Sequence, residues 1–339
     1  MLATIALLAV LTPGNPETVA LPEGTQGIGF DDLQFAPALN RVLVPAGRTG
    51  RLFLIDPLNH VPSSIAGISS AREAFHGGHG EGTTSAAEIP TRPIRIAATD
   101  RDSGSLRIAD PTSQKVVSSV KLAAGPEYVR AVTSNGELWV TEPHANQIEV
   151  LRIDDAAEGK LSSELTIPVP GGPESLVIDV ARKRAYTHTF ADQSHAIDLR
   201  THRVVGTWKN GCQKSRGIAL DSPRRLLFTG CGEGKVTVVD LAGSNRVVAS
   251  APVGAGVDSI AYDPSLHHLY VPSGEKAELA IFDVGPGGAL SLAGTLPTAA
   301  DAHTVAFAPA THTIYVGSPE KGAVLVFRDP AAPGPSATP

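Results

Sequence analysis

The chain has 339 residues, of which 28 are Lys or Arg and 34 are Asp or Glu, so its formal net charge is −6. This slightly acidic balance argues against a duplex-binding protein, and we expect no nucleic-acid partner. The 34 glycines and 27 prolines exclude a coiled coil, and a hydrophobic fraction of 42% argues against a disordered chain. Two cysteines are too few for a disulfide-knit scaffold or a Cys-rich zinc domain.

The first segment, residues 1–16, starts with an apolar run from Met1 to Leu11 that continues into Thr-Pro-Gly-Asn-Pro. The run has the length of a signal-peptide core and is too short to span a bilayer. It contains no basic residue, the first being Arg41, so a buried apolar segment is the alternative. We expect segment 1–16 to be a signal peptide or disordered leader, the protein to be secreted or periplasmic without a membrane span, and the Pro-rich tail 330–339 to be disordered.

One pattern recurs between residues 17 and 329. Each unit has an alternating apolar strand, a turn, a second strand that ends near an aromatic residue or leucine, and a third strand that closes in Asp. The residue before the first strand, which we call the anchor, stands 12 positions before the marker residue of the second strand. The anchor and marker pairs are Asp31 with Leu43, Glu127 with Trp139, Glu174 with Tyr186, Arg216 with Phe228, Asp258 with Tyr270, and His303 with Tyr315.

The spacing of the anchors predicts the architecture. From Glu127 onward they are 47, 42, 42 and 45 residues apart, and the 96 residues between Asp31 and Glu127 accommodate one more unit with an insertion at 68–82. That extra unit starts near Thr84 or Ser85. Units of about 40–50 residues with four short strands are typical of a β-propeller. Fourth strands are predicted at 116–121, 164–169, 204–208, 247–252 and 290–296.

The last unit has no fourth strand of its own, because its third strand runs directly into the Pro-rich tail. Segment Glu17–Gly24, ahead of the first unit, resembles the missing strand. We therefore predict an all-β protein with a single domain at 17–329: a seven-bladed β-propeller closed by an N-terminal strand that completes the last blade. Such closure removes open sheet edges, which otherwise invite aggregation.

The blade between Asp263 and Val271 reads Asp-Pro-x-x-x-x-Leu-Tyr-Val, and third strands close as Ile-Phe-Asp or Val-Val-Asp. This blade resembles the YVTN-repeat β-propellers, a family that includes YncE-like, surface-layer and lactonase-like proteins. The resemblance covers about residues 17–329. It implies the propeller fold, whereas activities within the family are diverse, so the function has to be argued from a site.

In a propeller the first strands line a central channel, and the anchors form a ring at one end of it, which we call the upper mouth. Four of the seven anchors are acidic. Converging carboxylates raise each other's pKa or attract a cation, such as Ca²⁺, Mg²⁺ or a cationic organic ligand. The alternative is a hydrated mouth whose acids pair with arginines. The predicted ligand-binding residues are Asp31, Glu127, Arg130, Glu174, Arg216, Asp258 and His303.

The insertion 68–82 enters on the same face and carries His76, His79 and Glu81 among glycines. Imidazole and carboxylate groups are good ligands for Zn²⁺, Cu²⁺ or Ni²⁺, so this segment is a candidate metal site or a lid over a ligand. His144 and His188 lie at or near turns on that face and complete the candidate metal set. Exposed histidines on a mobile loop are the alternative.

Cys212 and Cys231 fall in one predicted blade and on the upper face. Their positions suit a disulfide that closes a loop of roughly 20 residues, which is worth about 2–4 kcal/mol and agrees with an oxidising compartment. The alternative is a free thiolate that acts as a ligand or nucleophile.

These features favour a monomeric, secreted or periplasmic propeller that binds a small molecule or a metal ion (Ca, Mg, Zn or Cu) at its upper mouth. Whether it is an enzyme stays open. As an enzyme it would be a metal-assisted, lactonase-like hydrolase or lyase with His303 as general base. In that case the cation would be held by Asp31, Glu127, Glu174 and Asp258. A third possibility is a scaffold that binds a protein partner through its blade loops.

Overall fold

A computed structural model describes residues 15–333. The expected signal segment therefore lies outside the described residues except for its last two positions, and so does the tail beyond residue 333. In chain order the strands are β1 (Glu17–Ala20), β2 (Gln34–Ala36), β3 (Arg41–Pro45), β4 (Arg51–Ile55), β5 (Pro62–Ala66), β6 (Ala86–Ile89), β7 (Arg95–Asp100), β8 (Ser105–Asp110), β9 (Lys115–Lys121), β10 (Val129–Val132), β11 (Glu137–Glu142), β12 (Gln147–Asp155), β13 (Lys160–Pro168), β14 (Leu176–Asp179), β15 (Arg184–His188), β16 (Ser194–Asp198), β17 (Arg203–Trp208), β18 (Ser215–Asp221), β19 (Leu226–Cys231), β20 (Lys235–Asp240), β21 (Arg246–Pro252), β22 (Ala261–Asp263), β23 (His268–Ser273), β24 (Glu278–Val284), β25 (Leu290–Pro297), β26 (Val305–Ala308), β27 (Thr313–Ser318) and β28 (Ala323–Arg328).

Helical structure is limited to short 3-10 turns in the described part of the chain. They are Gly24–Gln26, Pro143–Ala145, Val180–Arg182, Gly274–Lys276 and Pro286–Gly288. None of the helices at residues 15–333 reaches the length and hydrophobicity that crossing a membrane would require.

The strands form antiparallel sheets. Five sheets have four strands each, and one has eight in the order β2-β3-β4-β5-β9-β8-β7-β6. The two halves of the larger sheet meet through a single parallel pair, Ala66 with Lys115. In the last sheet, β1 pairs antiparallel with β28, from Glu17 opposite Val326 to Ala20 opposite Ala323.

The innermost strands are neighbours in a fixed order. Contacts connect β2 to β6, β6 to β10, β10 to β14, β14 to β18, β18 to β22 and β22 to β26, and β26 contacts β2. The sheets are therefore arranged radially around a central channel. This arrangement is an all-β β-propeller, as the repeat spacing predicts.

Burial along the strands explains why these sequences fold this way. The second strands β11, β23 and β27 are buried at every position, because each sheet is covered by neighbouring sheets on both faces. The outer strand β9 alternates between exposed and half-buried residues, as a strand with one face towards solvent does. The predicted fourth strands correspond to β9, β13, β17, β21 and β25, with ends that agree to within four residues.

A buried polar cluster holds the lower side of the last two sheets together. The Asp329 carboxylate accepts hydrogen bonds from His268 Nδ1 and from the Tyr270 hydroxyl, both at 2.7 Å. His268 Nε2 also lies 3.0 Å from Asp283 Oδ1. Burial lowers the pKa of His268, but its two carboxylate partners outweigh burial and raise the pKa above its ordinary value. His268 is thus held as an imidazolium between sheets.

We predict that His268→Gln destabilises the protein more at about pH 6 than at about pH 9, with a loss of roughly 1.5–3 kcal/mol at the lower pH. Because the folded-state pKa is raised, the contribution of the imidazolium is complete below the unfolded pKa of about 6.5 and is lost as the pH rises through the folded value. Urea denaturation at both pH values measures the effect. An equal loss at both, or a loss matched by the exposed control His144→Gln, would contradict it.

Cys212 and Cys231 lie at disulfide-bonding distance, with their Cα atoms 5.3 Å apart and a sequence separation of 19. Both side chains are buried. The bond connects the loop before β18 to the last residue of β19, and thus ties an entry loop to the sheet that follows it.

We predict that the double substitution Cys212→Ser, Cys231→Ser lowers the free energy of unfolding by about 2–4 kcal/mol, because the closed loop no longer restricts the unfolded chain. Urea denaturation of oxidised protein measures the change. Dithiothreitol should lower the free energy of unfolding of the wild type by a similar amount and leave that of the double variant unchanged. An unchanged midpoint in the double variant would be evidence against the bond.

Candidate functional site

Five anchor side chains converge at the upper mouth of the channel. They are buried, with exposed fractions of 1% for Asp31, 4% for Glu127, 3% for Glu174, 8% for Asp258 and 9% for His303. Each precedes an inner strand, so the radial arrangement of the sheets directs all of them to one end of the channel. The structure therefore brings together the acidic anchors that the spacing predicts.

The insertion 68–82 adds one more side chain, His79, to this end of the channel. Its Nδ1 atom lies 3.0 Å from Asp31 Oδ2, and its Nε2 atom lies 3.7 Å from Asp258 Oδ2. The His79 and His303 ring centroids are 5.8 Å apart. His79 thus inserts between two anchor carboxylates and beside the anchor histidine.

Close backbone packing holds the insertion in this position. A Cβ atom on Gly29 would lie 2.2 Å from the Gly78 carbonyl oxygen and 2.9 Å from the His79 Cα, so only glycine allows this approach. The His79 carbonyl accepts a hydrogen bond from Arg101 Nη1 at 3.3 Å, and the Phe75 N–H donates to the Gln26 carbonyl at 2.9 Å. The imidazole is therefore placed by the backbone.

The charges of Asp31 and His79 depend on each other. The Asp31 carboxylate, with help from Asp258 and Glu127, raises the pKa of His79 to about 10 despite burial. Burial alone would raise the pKa of Asp31, but the His79 imidazolium overcomes it and lowers that pKa to about 2. At neutral pH the pair is an imidazolium beside a carboxylate, and the histidine supplies the positive charge that the acidic mouth requires.

The remaining two acids are paired with arginines. Glu127 forms an ion pair with Arg101, and Glu174 Oε1 accepts from Arg216 Nη1 at 2.7 Å. Burial raises the pKa of Glu174 to about 8, with Asp258 adding to the effect, even though Arg216 opposes it. Burial and Asp31 likewise raise the pKa of Glu127 above its usual range.

His303 is oriented by two oxygen acceptors. Its Nε2 atom lies 3.1 Å from the Phe30 carbonyl oxygen, and its Nδ1 atom lies 3.4 Å from Asp301 Oδ1. Burial lowers the pKa of His303, but Asp301 and Asp258 outweigh burial and raise it above the ordinary value. In the metal-free protein both nitrogens of His303 therefore face oxygen atoms.

Arg130 and Asp32 form a buried ion pair next to the anchor Asp31. Arg130 contacts Asp32 through two parallel bonds, Nη1 to Oδ2 at 2.6 Å and Nη2 to Oδ1 at 2.9 Å. Arg130 also lies over the Tyr128 ring at 5.2 Å, and the Tyr128 hydroxyl lies 3.3 Å from Asp31 Oδ1. Arg130, predicted as a ligand-binding residue, therefore neutralises Asp32.

The opposite half of the channel has a different chemistry. A cavity of about 360 Å³ is lined there by apolar residues of the inner strands, among them Phe35, Ile218, Leu220 and Phe307, with Arg130 at its inner end. The lining of this cavity is therefore more apolar than the acidic upper mouth.

Two buried carboxylate atoms at the upper mouth have no hydrogen-bond partner among the described residues, Asp258 Oδ2 and Glu174 Oε2. Ligand atoms of His79, Asp258 and His303 all lie within 4.8 Å of one another, and the same holds for Asp31, His79 and Glu127. Three such atoms are enough to hold a metal ion and leave a coordination position open.

The other predicted metal ligands lie elsewhere. His76, Glu81 and His144 are exposed and belong to neither group of converging ligand atoms at residues 15–333. His188 is fully buried beside Ser194, with its Nδ1 atom 2.7 Å from the hydroxyl oxygen, and burial lowers its pKa to about 3. Of the histidines in the candidate metal set, the structure thus brings His79 alone to the anchors.

Residues without an anchor position complete the site. Arg101 follows β7, Asp32 follows an anchor, and Asp301 precedes His303 by two positions. The Asp31-Asp32 doublet is the one signal in the sequence that could have indicated a second carboxylate. No comparable pattern marks Arg101, because its partner Glu127 belongs to the next unit.

Comparisons with known proteins agree with the fold. No protein-family profile and no curated protein matches the chain. Among solved structures, a chain of the Kuenenia stuttgartiensis hydrazine synthase has a TM-score of 0.73 at 14% identity, covering 92% of this chain and 97% of that one. A chain of the mitotic checkpoint complex has a TM-score of 0.73 at 14% identity, covering 97% and 98%. The β-propeller domain of Myceliophteria thermophila Cps50 (Swd1) has a TM-score of 0.73 at 12% identity, covering 94% and 100%. At these identities the likeness shows the β-propeller fold alone.

We predict that Arg130→Met lowers the free energy of unfolding by about 3–5 kcal/mol, because it leaves the Asp32 carboxylate buried without a counter-charge. Adding Asp32→Asn should recover part of this loss. Arg41→Met is the matched control, since its ion pair with Asp56 is more exposed and should cost below about 1 kcal/mol. Urea denaturation measures all three, and equal losses for Arg130→Met and Arg41→Met would contradict the prediction.

Proposed function

We propose that this protein is a seven-bladed β-propeller, similar to YVTN-repeat proteins and closed by its N-terminal strand, that binds a divalent metal ion at the upper mouth. The single observation that carries the metal site is the convergence of His79, Asp258 and His303, whose ligand atoms all lie within 4.8 Å of one another. Asp258 Oδ2 is buried and makes no hydrogen bond to a described residue. Buried polar atoms without partners are rare, and a bound cation would satisfy this one.

The strand order supports the blade count. Each half of the eight-stranded sheet has four strands and an inner strand of its own, so the single bridge from Ala66 to Lys115 joins two blades at their outer strands. Counting the halves separately makes seven blades, in agreement with the order of the inner strands around the channel. The pairing of β1 with β28 supports closure by the N-terminal strand.

The donor set favours a transition metal. Once Zn²⁺ displaces the ring protons, His79, Asp258 and His303 offer two imidazoles and one carboxylate, a combination that suits Zn²⁺ better than Ca²⁺ or Mg²⁺. The three side chains come from a loop and two different blades, so the assembled ring is needed to form the site. An open coordination position would take water or a small ligand that enters from the upper face.

Binding, rather than hydrolysis, is the activity that the geometry supports. In this proposal His303 is a metal ligand rather than a general base, and Zn²⁺ at Nε2 would replace its contact with the Phe30 carbonyl. Glu174 is engaged by Arg216 through Oε1. The proposal therefore assigns proton transfer to neither of the two predicted catalytic residues.

A secreted or periplasmic location is part of the proposal. Its support is the Cys212–Cys231 pair, since disulfides persist in oxidising compartments, together with the apolar N-terminal run in the sequence.

We predict that protein stripped of metal by a chelator binds one Zn²⁺ per chain in isothermal titration calorimetry. Asp258→Asn and His303→Gln should each weaken the affinity by about tenfold or more, because each removes one of three ligands. His76→Gln and His144→Gln are matched controls on the same face and should bind Zn²⁺ like the wild type.

The absence of Zn²⁺ binding by the wild type would overturn the proposal. Unchanged affinity in both Asp258→Asn and His303→Gln, with loss in His76→Gln, would move the site to the exposed part of the insertion.

A further inference from the structure

Arg48 is a buried cation without an anionic partner. The residue is 8% exposed, and its Nε atom donates to the Gly27 carbonyl at 2.8 Å. Its Nη2 atom is buried and has no hydrogen-bond partner, and no carboxylate at residues 15–333 lies within ion-pair distance of it. Burying an unpaired charge costs free energy, so an arginine in this state indicates a missing counter-charge.

This arginine lines a cavity of about 290 Å³ under the insertion loop. The floor is formed by Gly29 and Gly47, and the wall is the segment 73–81. The size is at the lower limit of small-molecule pockets, which span roughly 300–1,000 Å³. Its lining shares no residue with the apolar cavity of the channel, and it includes His79, which also belongs to the upper mouth.

The wall offers hydrogen-bond donors of the kind that bind anions. The backbone N–H groups of Gly77, Gly78 and Gly80 make no hydrogen bond within the described part of the chain. Gly77 and Gly78 have φ angles of 100° and 75°, a conformation in which successive N–H groups can turn towards one concave side. Glu73 and Glu81 also stand on the wall, but they are exposed and form no ion pair with Arg48.

We propose that this cavity is a binding site for an oxyanion, the carboxylate or phosphate group of a small molecule, held between the Arg48 guanidinium and the glycine-rich wall. The planar guanidinium fork matches two oxygen atoms of either group. The exposed carboxylates of Glu73 and Glu81 at the wall disfavour large, highly charged anions. The proposed anion is held by Arg48 and the glycine N–H groups, which are not among the proposed metal ligands, although His79 lines this cavity and also belongs to the metal site.

Thermal unfolding in sodium acetate and in sodium phosphate, at constant ionic strength set with chloride, tests this site. We expect a saturable rise in Tm for the wild type, and an apparent Kd weakened about tenfold or more in Arg48→Gln. Arg72→Gln, an equal change of charge on the same loop outside the cavity, should respond like the wild type. A response to acetate alone identifies a carboxylate site, and a response to phosphate alone identifies a phosphate site.

No saturable response of the wild type to either anion, or an unchanged response in Arg48→Gln, would overturn the proposal. If Arg48→Gln does not fold, wild-type crystals soaked in selenate decide: an anomalous peak beside the Arg48 guanidinium supports the site, and a peak only elsewhere refutes it. Asp258→Asn should lose Zn²⁺ binding but keep the anion response. The two proposals therefore fail independently.

Discussion

The mutual repulsion of buried carboxylates at one end of the channel is the constraint on which the site depends. Asp31, Glu127, Glu174 and Asp258 converge there because each precedes an inner strand. Arg101 and Arg216 neutralise two of them, and His79 stands between the other two. The histidine belongs to an insertion, so the loop supplies the charge balance that the blades alone lack. A metal ion at the same place would meet the same electrostatic requirement.

Much of the fold could be predicted from the sequence, because the anchor and the marker are 12 residues apart in unit after unit. That constant spacing is what two antiparallel strands joined by a short turn produce. The outer strands β9, β17 and β21 could be predicted because each follows the third strand of a repeated unit. The joining of two sheets by the pair Ala66 and Lys115 could not be predicted, since one bridge leaves no pattern. The convergence of the anchors could be predicted for a related reason. In a closed ring of repeated units, equivalent positions of every unit lie at the same end of the channel.

Fewer details of the site could be predicted from the sequence. His76 and His79 lie three positions apart on a glycine-rich segment, and nothing in the sequence shows which one enters the mouth. The choice depends on the contact of Gly78 with Gly29, which joins residues distant in sequence. The buried state of Arg48 is equally non-local, because it results from the insertion folding over the cavity. The similar solved structures, at 12–14% identity, show the fold alone and give no information on these side chains.

The upper mouth is the proposed cation site, with ligands from three parts of the ring. The most direct test is anomalous diffraction above and below the zinc absorption edge, from crystals grown with stoichiometric Zn²⁺. We expect one edge-dependent peak per chain, within coordination distance of His79, Asp258 and His303. A peak at exposed His76 or His144 instead, or no peak at the mouth in protein that contains one Zn²⁺ per chain, would contradict it.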